Sequence, residues 1–163
     1  MFKKSVIILL CLAVLCLMCA CGGSEPSSTV RSDVPAADIS AAVEAAISSE
    51  GLIQVDESYI LGRMQIDTAK CSDYVVKITS IGTAIDEYGI FRAADEASAQ
   101  EISEQVKAYF DRYLASWMDE YRPEEKPKLQ AAEVRAEGVY VFYTIMADAD
   151  ADAALAALHS LIK

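Results

Sequence analysis

The apolar residues of the chain recur with two periods, and these periods divide it into helices and strands. Spacings of three and four place apolar side chains on one face of a helix, whereas strict alternation places them on one face of a strand. The longest helical pattern opens at Asp95, carries one wide apolar face and ends near Tyr121, just before Pro123. The predicted helices are one capped by Asp38 and ending at Gly51, a short one over 57–64, the long one over 95–121 and a last one over about 151–162.

Four segments alternate as strands do, and they pair naturally into two hairpins. The predicted strands cover 73–80, 85–93, 129–136 and 139–146. The second hairpin turns at Glu137-Gly138, where glycine can take a positive φ. Its last strand is apolar on both faces, which is typical of a strand inside a sheet or covered on both sides. The order α-α-β-β-α-β-β-α predicts an α+β fold, in which helices pack on a four-stranded, mainly antiparallel sheet.

The first twenty residues combine a basic start with a short apolar run. Lys3 and Lys4 precede about thirteen uncharged residues at 6–18, the length of a signal-peptide core. Even when it is extended to Cys21, the run falls short of the roughly twenty apolar residues that span a bilayer. Residues 1–20 are therefore predicted to be a lipoprotein signal peptide rather than a retained membrane helix.

The residue before each cysteine of this leader indicates which one receives lipid. Cleavage of such leaders needs a small residue just before the cut. Only Cys21 has one, Ala20, whereas Leu or Met precedes Cys11, Cys16 and Cys19. Cys21 is therefore the predicted lipid-attachment site, and two acyl chains on it would hold the protein stably at the outer face of the cytoplasmic membrane. The alternative is a plain secretory signal with a chance cysteine.

The chain that remains after processing is short and acidic. Removal of residues 1–20 takes away two lysines and no acids, which moves the formal charge from −11 to −13. This charge repels phosphate backbones and disfavours nucleic acid as a partner. Residues 21–36, rich in Gly, Ser and Pro, are predicted to be the lipidated cysteine and a flexible tether. Residues 37–163 suffice for one α+β domain and are too few for two.

Six short motifs, in their order and spacing, resemble a known family. They are Cys21-Gly22-Gly23, Tyr59-Ile60-Leu61, Asp73-Tyr74-Val75-Val76, Asp86-Glu87-Tyr88-Gly89-Ile90-Phe91, Tyr121-Arg122-Pro123-Glu124-Glu125 and Gly138-Val139-Tyr140-Val141-Phe142. The family comprises small lipoproteins of anaerobic Gram-positive bacteria and is known as domain of unknown function 4358. The resemblance covers roughly residues 37–163 and implies an extracytoplasmic lipoprotein. It implies no activity, because the family offers no catalytic or binding residues to carry over.

Asp148, Asp150 and Asp152 are the nearest approach to a metal-binding motif. Acids at positions 1, 3 and 5 begin a calcium loop, which also needs glycine at position 6 and a bidentate acid at position 12. Ala153 and His159 stand at those positions instead. We therefore expect the three acids to cap and charge the start of the last helix, and we predict no metal site. Weak binding of a divalent cation by the cluster is the alternative.

The chain shows no recognisable set of catalytic residues. Cys71 is the only cysteine after Cys21, and we expect it to be a half-buried apolar residue at the start of a strand rather than a nucleophile. His159, the only histidine, is expected on the surface or half-buried. Asp86 and Glu87 are neighbours on a strand, so their carboxylates should point to opposite faces. No cofactor is predicted, and we do not expect an enzyme. The alternative is an envelope enzyme or accessory subunit that uses these carboxylates or the aspartate cluster.

Aromatic side chains are the remaining indication of function. Most of them fall on the long helix and the last strand, where they should form the core between helix and sheet. If one face of the sheet is uncovered, Phe91, Tyr140 and Phe142 would form an apolar docking patch. We therefore expect a membrane-anchored extracytoplasmic module that binds an envelope protein or a small ligand. A transporter's substrate-binding protein is disfavoured, because one small domain cannot form two lobes that close on a ligand.

Overall fold

A five-stranded antiparallel sheet forms the centre of the fold in a computed structural model that describes residues 30–80, 82 and 84–163. Its strands are β1 (Leu52–Gln54), β2 (Cys71–Thr79), β3 (Glu87–Ala93), β4 (Glu133–Glu137) and β5 (Tyr140–Ile145). They lie in the order β1-β2-β3-β5-β4. The α+β class and the antiparallel sheet are confirmed. The predicted signal peptide and the predicted lipid-attachment site, Cys21, lie outside the described residues.

The predicted number of four strands was wrong, because β1 adds a fifth strand at the β2 edge. β1 pairs with the end of β2, with Leu52 opposite Thr79 and Gln54 opposite Lys77. Its three residues are too short to show an alternating pattern, and Ile53 at its centre is exposed. Only the pairing with β2 makes this segment a strand.

Helices and helical turns precede, connect and follow the strands. They are α1 (Ala36–Ala46), α2 (Glu57–Tyr59), a π turn (Ile60–Met64), a 3-10 turn (Thr68–Lys70), α3 (Glu96–Ala115), α4 (Lys126–Gln130) and α5 (Asp148–Ile162). Among the residues that the structure describes, no helix is long and apolar enough to cross a membrane.

Both predicted hairpins are present. β2 pairs with β3, and β4 pairs with β5 around a two-residue loop that begins at Gly138. Gly138 has a φ of 58°, so this position favours glycine, as expected from the sequence. β5 lies between β3 and β4, which agrees with its apolar residues on both faces.

Helices cover both faces of the sheet. One face packs against α3 and the π turn, and its buried residues include Val76, Phe91, Val141, Tyr143 and Ile145 from the sheet and Ile102, Val106, Tyr109 and Phe110 from α3. The other face packs against α1 and α5, and its buried residues include Val75, Tyr88, Ile90, Tyr140 and Phe142 from the sheet, Ile39 and Val43 from α1, and Leu158 and Ile162 from α5. The molecule therefore has three layers, and the sheet is the middle one.

The predicted bounds of two helices, α1 and α3, were wrong. α1 begins at Ala36, so Asp38 lies in its first turn and is not the cap, and the helix already ends at Ala46. α3 is capped by Asp95, as its sequence suggests, because the Asp95 carboxylate accepts a hydrogen bond from the Ser98 N–H at 2.7 Å. It ends at Ala115, well before Pro123. Beyond Ala115, Trp117 packs against Tyr113 of the helix, whereas Met118 and Tyr121 are exposed.

The segment before α1 is fixed to one end of the sheet. The Tyr140 hydroxyl accepts a hydrogen bond from the Val34 N–H at 2.9 Å and donates one to the Val34 carbonyl at 3.0 Å. The Asp73 carboxylate accepts a hydrogen bond from the Ala36 N–H at 3.0 Å. The Arg31 N–H donates to the Ile162 carbonyl at the end of α5. We call this end, where β2 begins and β3 finishes, the Tyr140 end, and the opposite end the Glu87 end.

Candidate functional site

Glu87 is a carboxylate buried at the start of β3, and only 3% of it is exposed. The Tyr143 hydroxyl donates a hydrogen bond to its Oε1 at 2.6 Å, and the Tyr109 hydroxyl donates one to its Oε2 at 3.0 Å. Burial raises the pKa of Glu87 to about 7, although these hydrogen bonds and the nearby charge of Arg63 act in the opposite direction. Glu87 is therefore a group that changes charge near neutral pH.

The two tyrosines remain protonated donors. Burial, together with the negative charge of Glu87, raises the pKa of Tyr143 and of Tyr109 well above the usual value. Tyr59 lies in the same cluster, and its pKa is also raised, first by burial and then by the charge of Glu87. Glu87 thus accepts hydrogen bonds from neutral groups, and within the described residues no ion pair neutralises it.

The pairing of β3 with β5 explains how Tyr143 reaches Glu87. Gly89 lies opposite Tyr143, and Glu87 lies two residues before Gly89, on the same face of β3. Because Gly89 has no side chain, the Tyr143 ring lies directly across the β3 backbone at this point. A β-carbon at Gly89 would lie 2.8 Å from Cζ of Tyr143 and closer still to its Cε1. The glycine therefore places the tyrosine hydroxyl on the carboxylate.

A surface cavity of about 310 Å³ lies beside this cluster, between the π turn and α3. Its lining consists of Gly62, Arg63, Gln65, Tyr109, Arg112, Tyr113 and Ser116. Tyr109 belongs to both features, because it lines the cavity and its hydroxyl donates to Glu87. Arg63 lies over the Tyr113 ring, with its guanidinium carbon 5.3 Å from the ring centroid. The Arg112 guanidinium donates a hydrogen bond to the Met64 carbonyl at 2.6 Å.

The π turn forms the wall of the cavity opposite α3. Asp56 caps the preceding helical turn, since its carboxylate accepts a hydrogen bond from the Tyr59 N–H at 3.0 Å. Ile60 and Met64 are fully buried, whereas Arg63 between them remains at the surface. The turn ends at Gln65, which has a left-handed φ of 56° that is uncommon for a residue other than glycine. Such π turns are rare in proteins, and those that occur are often found at functional sites.

The docking patch predicted from Phe91, Tyr140 and Phe142 does not form an exposed surface. Phe91 is 0% exposed, Tyr140 1% and Phe142 3%. Phe91 lies under α3, while Tyr140 and Phe142 lie on the opposite face under α1 and α5. The patch required an uncovered face of the sheet, and helices cover both faces.

The three aspartates of the predicted cluster lie in and after the first turn of α5, and none of them is its N-cap. Ala147 occupies that position and makes no side-chain cap. The Asp150 carboxylate accepts hydrogen bonds from the Ser48 N–H at 2.8 Å and from the Ser49 hydroxyl at 3.0 Å. Burial acts to raise the pKa of Asp150, but these hydrogen bonds outweigh it, and the pKa is lowered. Asp150 therefore joins α5 to the segment after α1. In the part of the chain that the structure describes, no group of three metal-ligating side chains is found.

The other candidate residues have structural partners. Asp86 and Glu87 point to opposite sides, as expected, because Asp86 forms an ion pair with Lys128 at 2.8 Å. His159 is half-buried, and its Nε2 lies 2.7 Å from the Glu137 carboxylate. Cys71 is half-buried at the start of β2, as predicted, and burial raises the pKa of its thiol to about 12. It is therefore a poor nucleophile at neutral pH.

Sequence reasoning missed the residues that form the cavity. Arg63, Gln65 and Arg112 were not singled out, and Glu87 was considered only as a surface carboxylate. One indication was available, because Glu87 is an acid in a strand whose other residues are mostly apolar and which has a glycine two positions later. The π turn leaves no comparable pattern in the sequence.

These observations define a small three-layer α+β domain with a buried carboxylate beside a surface cavity. The family model described as Domain of unknown function (DUF4358) matches residues 45–146, and the chain belongs to this family. The matched range includes the π turn, α3 and all strands, and therefore the whole cavity. No curated protein and no solved structure matches the chain.

Proposed function

We propose that this protein is a lipid-anchored lipoprotein at the outer face of the cytoplasmic membrane, and that its domain binds a small ligand in the cavity between the π turn and α3. The leader and Cys21 support the anchor. The observation that supports this proposal is that the segment following the predicted tether and the cavity lie toward opposite ends of the domain.

The direction in which α3 runs explains why the cavity lies away from the Tyr140 end. The helix begins just after β3 ends, at the Tyr140 end, and its cavity residues Arg112 and Tyr113 belong to its last turn. The segment that follows the tether is fixed at the Tyr140 end by the hydrogen bonds between Val34 and Tyr140. Nine positions separate Cys21 from Val30, and they can span at most roughly 30 Å. A lipid on Cys21 would therefore keep the Tyr140 end near the bilayer and leave the cavity open to the exterior.

Binding fits this cavity better than catalysis by carboxylates. The lining residues include two arginines and two tyrosines but no acid. Glu87, whose pKa is raised toward neutrality, lies behind Tyr109 and is buried, while Asp86 is held by Lys128. Two of the carboxylates named for an envelope enzyme are thus engaged or covered, and the exposed Asp148 and Asp152 do not line this cavity. A cavity of this volume lies at the lower limit for small-molecule sites.

Replacement of Cys21 by serine is expected to abolish lipid attachment. Cells that express the full chain and are fed an alkyne-tagged fatty acid should label the native protein and leave Cys21→Ser unlabelled and absent from the membrane fraction. Cys19→Ser is the matched control, because Met18 precedes Cys19 and a small residue precedes only Cys21. Equal labelling of Cys21→Ser and the native chain would contradict the anchor.

A photoreactive residue at Gly62 is expected to capture the ligand. Gly62 lines the cavity and is exposed, and a β-carbon added there would meet no atom within 4 Å, so a side chain can leave the backbone without a clash. We would therefore place p-benzoylphenylalanine at this position in the full chain. Irradiation of living cells should give defined mass adducts on the peptide that contains position 62. Ala156 is the control position, because it is exposed on α5, across the sheet from the cavity. Absence of adducts, or the same adducts at both positions, would contradict ligand binding at this site.

A further inference from the structure

We infer that the ligand of this cavity carries an oxyanion, a carboxylate or a phosphate group, which Arg63 and Arg112 bind. This inference rests on the proposed function, because it assigns a chemical class to the ligand of the same site. It follows from how the positive charges of the domain are distributed.

Most of the lysines and arginines that the structure describes have an acidic partner. The described residues contain twelve lysines and arginines, and nine of them form ion pairs with aspartate or glutamate. The three without a carboxylate within ion-pair distance, among the residues that the structure describes, are Arg63, Arg112 and Arg122. Arg122 donates to the Ala84 carbonyl and the Tyr121 hydroxyl. Arg63 and Arg112 both line the cavity.

This distribution is unexpected for an acidic chain. The full sequence carries 25 acids and 14 basic residues, so carboxylates are abundant as partners. The cavity nevertheless brings two arginines together without an acid in its lining. A guanidinium binds carboxylate or phosphate oxygens with two parallel hydrogen bonds, which makes arginine the usual residue at oxyanion sites.

The two arginines are held in place by the protein. Arg63 packs on the Tyr113 ring, and Arg112 is fixed through its hydrogen bond to the Met64 carbonyl. Because each is already restrained, little side-chain freedom remains to be lost when a ligand binds. The Tyr109 and Tyr113 rings in the lining offer an apolar surface to the remainder of the ligand. The cavity therefore fits a small molecule with one oxyanion group and an apolar or ring-shaped part.

Fluorescence of Trp117 offers a direct test. It is the only tryptophan of the chain, and its ring centroid lies 6.0 Å from that of Tyr113. The full-length protein in detergent micelles would be titrated with inorganic phosphate and, separately, with benzoate, against sodium chloride at the same ionic strength. We expect a saturable change with at least one probe and a melting temperature that rises with its concentration. Saturation by phosphate alone would identify a phosphate group, and saturation by benzoate alone a carboxylate.

Arg63→Gln is expected to weaken this binding by at least about tenfold, as follows from the loss of a charge-assisted hydrogen bond. Arg63 is exposed, so its replacement should leave the far-ultraviolet circular dichroism unchanged. Arg63→Lys keeps the charge but not the planar group, so its affinity should lie between those of Arg63→Gln and the native protein. Arg135→Gln is the matched control, because Arg135 is an exposed arginine on β4 paired with Glu133, and it should bind like the native protein.

Two results would overturn the inference. One is that neither phosphate nor benzoate gives a saturable change in Trp117 fluorescence or a rise in melting temperature. The other is equal affinity of Arg63→Gln and the native protein. If the photoreactive residue at position 62 still captured a ligand in cells, the proposed binding function would stand. Only the assignment of an oxyanion group to the ligand would then be wrong. If the residue at position 62 captured no ligand either, the proposed binding function would be wrong as well.

Discussion

Replacement of Gly89 by alanine is expected to lower the free energy of unfolding by about 3 kcal/mol, because it combines overpacking of the core with damage to a buried hydrogen bond. The added β-carbon would lie 2.8 Å from Cζ of Tyr143 and closer still to Cε1. The ring would have to move, since the alternative is to separate β3 from β5.

The Tyr143 ring has little room to move. Its centroid lies 5.4 Å from that of Phe110 in an edge-on contact and 6.5 Å from that of Phe91 on the same face of the sheet. Its hydroxyl is held on Glu87 at 2.6 Å. A displaced ring would therefore lose aromatic contacts and leave the buried Glu87 carboxylate with one hydrogen bond fewer.

Urea unfolding of the full-length protein, followed by Trp117 fluorescence, would measure this effect. Gly62→Ala is the matched control, because its β-carbon meets nothing within 4 Å and it lies in a helical turn. There alanine should be neutral or stabilising by up to about 1 kcal/mol. If Gly89→Ala unfolded at the same urea concentration as Gly62→Ala, the close approach of Tyr143 to β3 would be disproved.

The sequence allowed those elements to be predicted whose own residues determine them. The two hairpins follow from alternation within each strand, and Gly138 marks the turn of the second one. The start of α3 follows from the Asp95 cap. The central position of β5 follows from its apolar residues on both faces. In each case the local preference and the tertiary packing agree.

The elements that could not be predicted depend on contacts distant in the sequence. β1 is a strand only because β2 pairs with it. The apolar residues beyond Ala115 continue the pattern of α3, yet the chain leaves the helix at Ser116, and the Trp117 N–H donates to the Leu114 carbonyl, three residues back. The docking patch failed for a related reason, because an amphipathic pattern does not reveal how many helices cover a sheet face. α1 and α5, which are far apart in the sequence, together cover the face that holds Tyr140.

The candidate site lies beyond prediction for the same reason. Its two arginines belong to the π turn and to the last turn of α3, and only the fold brings them together. Glu87 was recognised as a carboxylate that points away from Asp86, which is correct. Its burial depends on Tyr109 and Tyr143, which come from two other elements. A single sequence shows these residues but does not show that the fold brings them into contact.

The free energy of unfolding is expected to decrease as the pH rises from about 4.5 to about 7, because of Glu87. Burial raises the pKa of this group from 4.5 to about 7. Between these values the folded protein retains a proton that the unfolded chain has released, so the folded state loses stability as the pH rises. The contribution is fully present below pH 4.5 and is lost as the pH passes 7, a total of about 3 kcal/mol.

The groups around Glu87 support this assignment. Tyr109 from α3, Tyr143 from β5 and Tyr59 from α2 face it as neutral groups, because their pKa values are raised. Arg63 is the nearby cation that favours the ionised form, and burial outweighs it. Carboxylates such as Asp150, whose pKa is lowered, act in the opposite sense and at lower pH, since their stabilisation is lost as the pH falls.

Glu87→Gln should remove this dependence on pH. The amide is neutral at every pH, and its oxygen can still accept one tyrosine hydrogen bond while its NH₂ group donates to the other hydroxyl. We expect the variant to be about 1 kcal/mol less stable than the native protein at pH 4.5 and about 2 kcal/mol more stable at pH 8. Urea unfolding of the full chain at intervals across this range would measure both. Glu104→Gln, at an exposed glutamate of α3, should keep the native slope. A slope that survives in Glu87→Gln would show that another group titrates in this window, and that Glu87 stays ionised within the core.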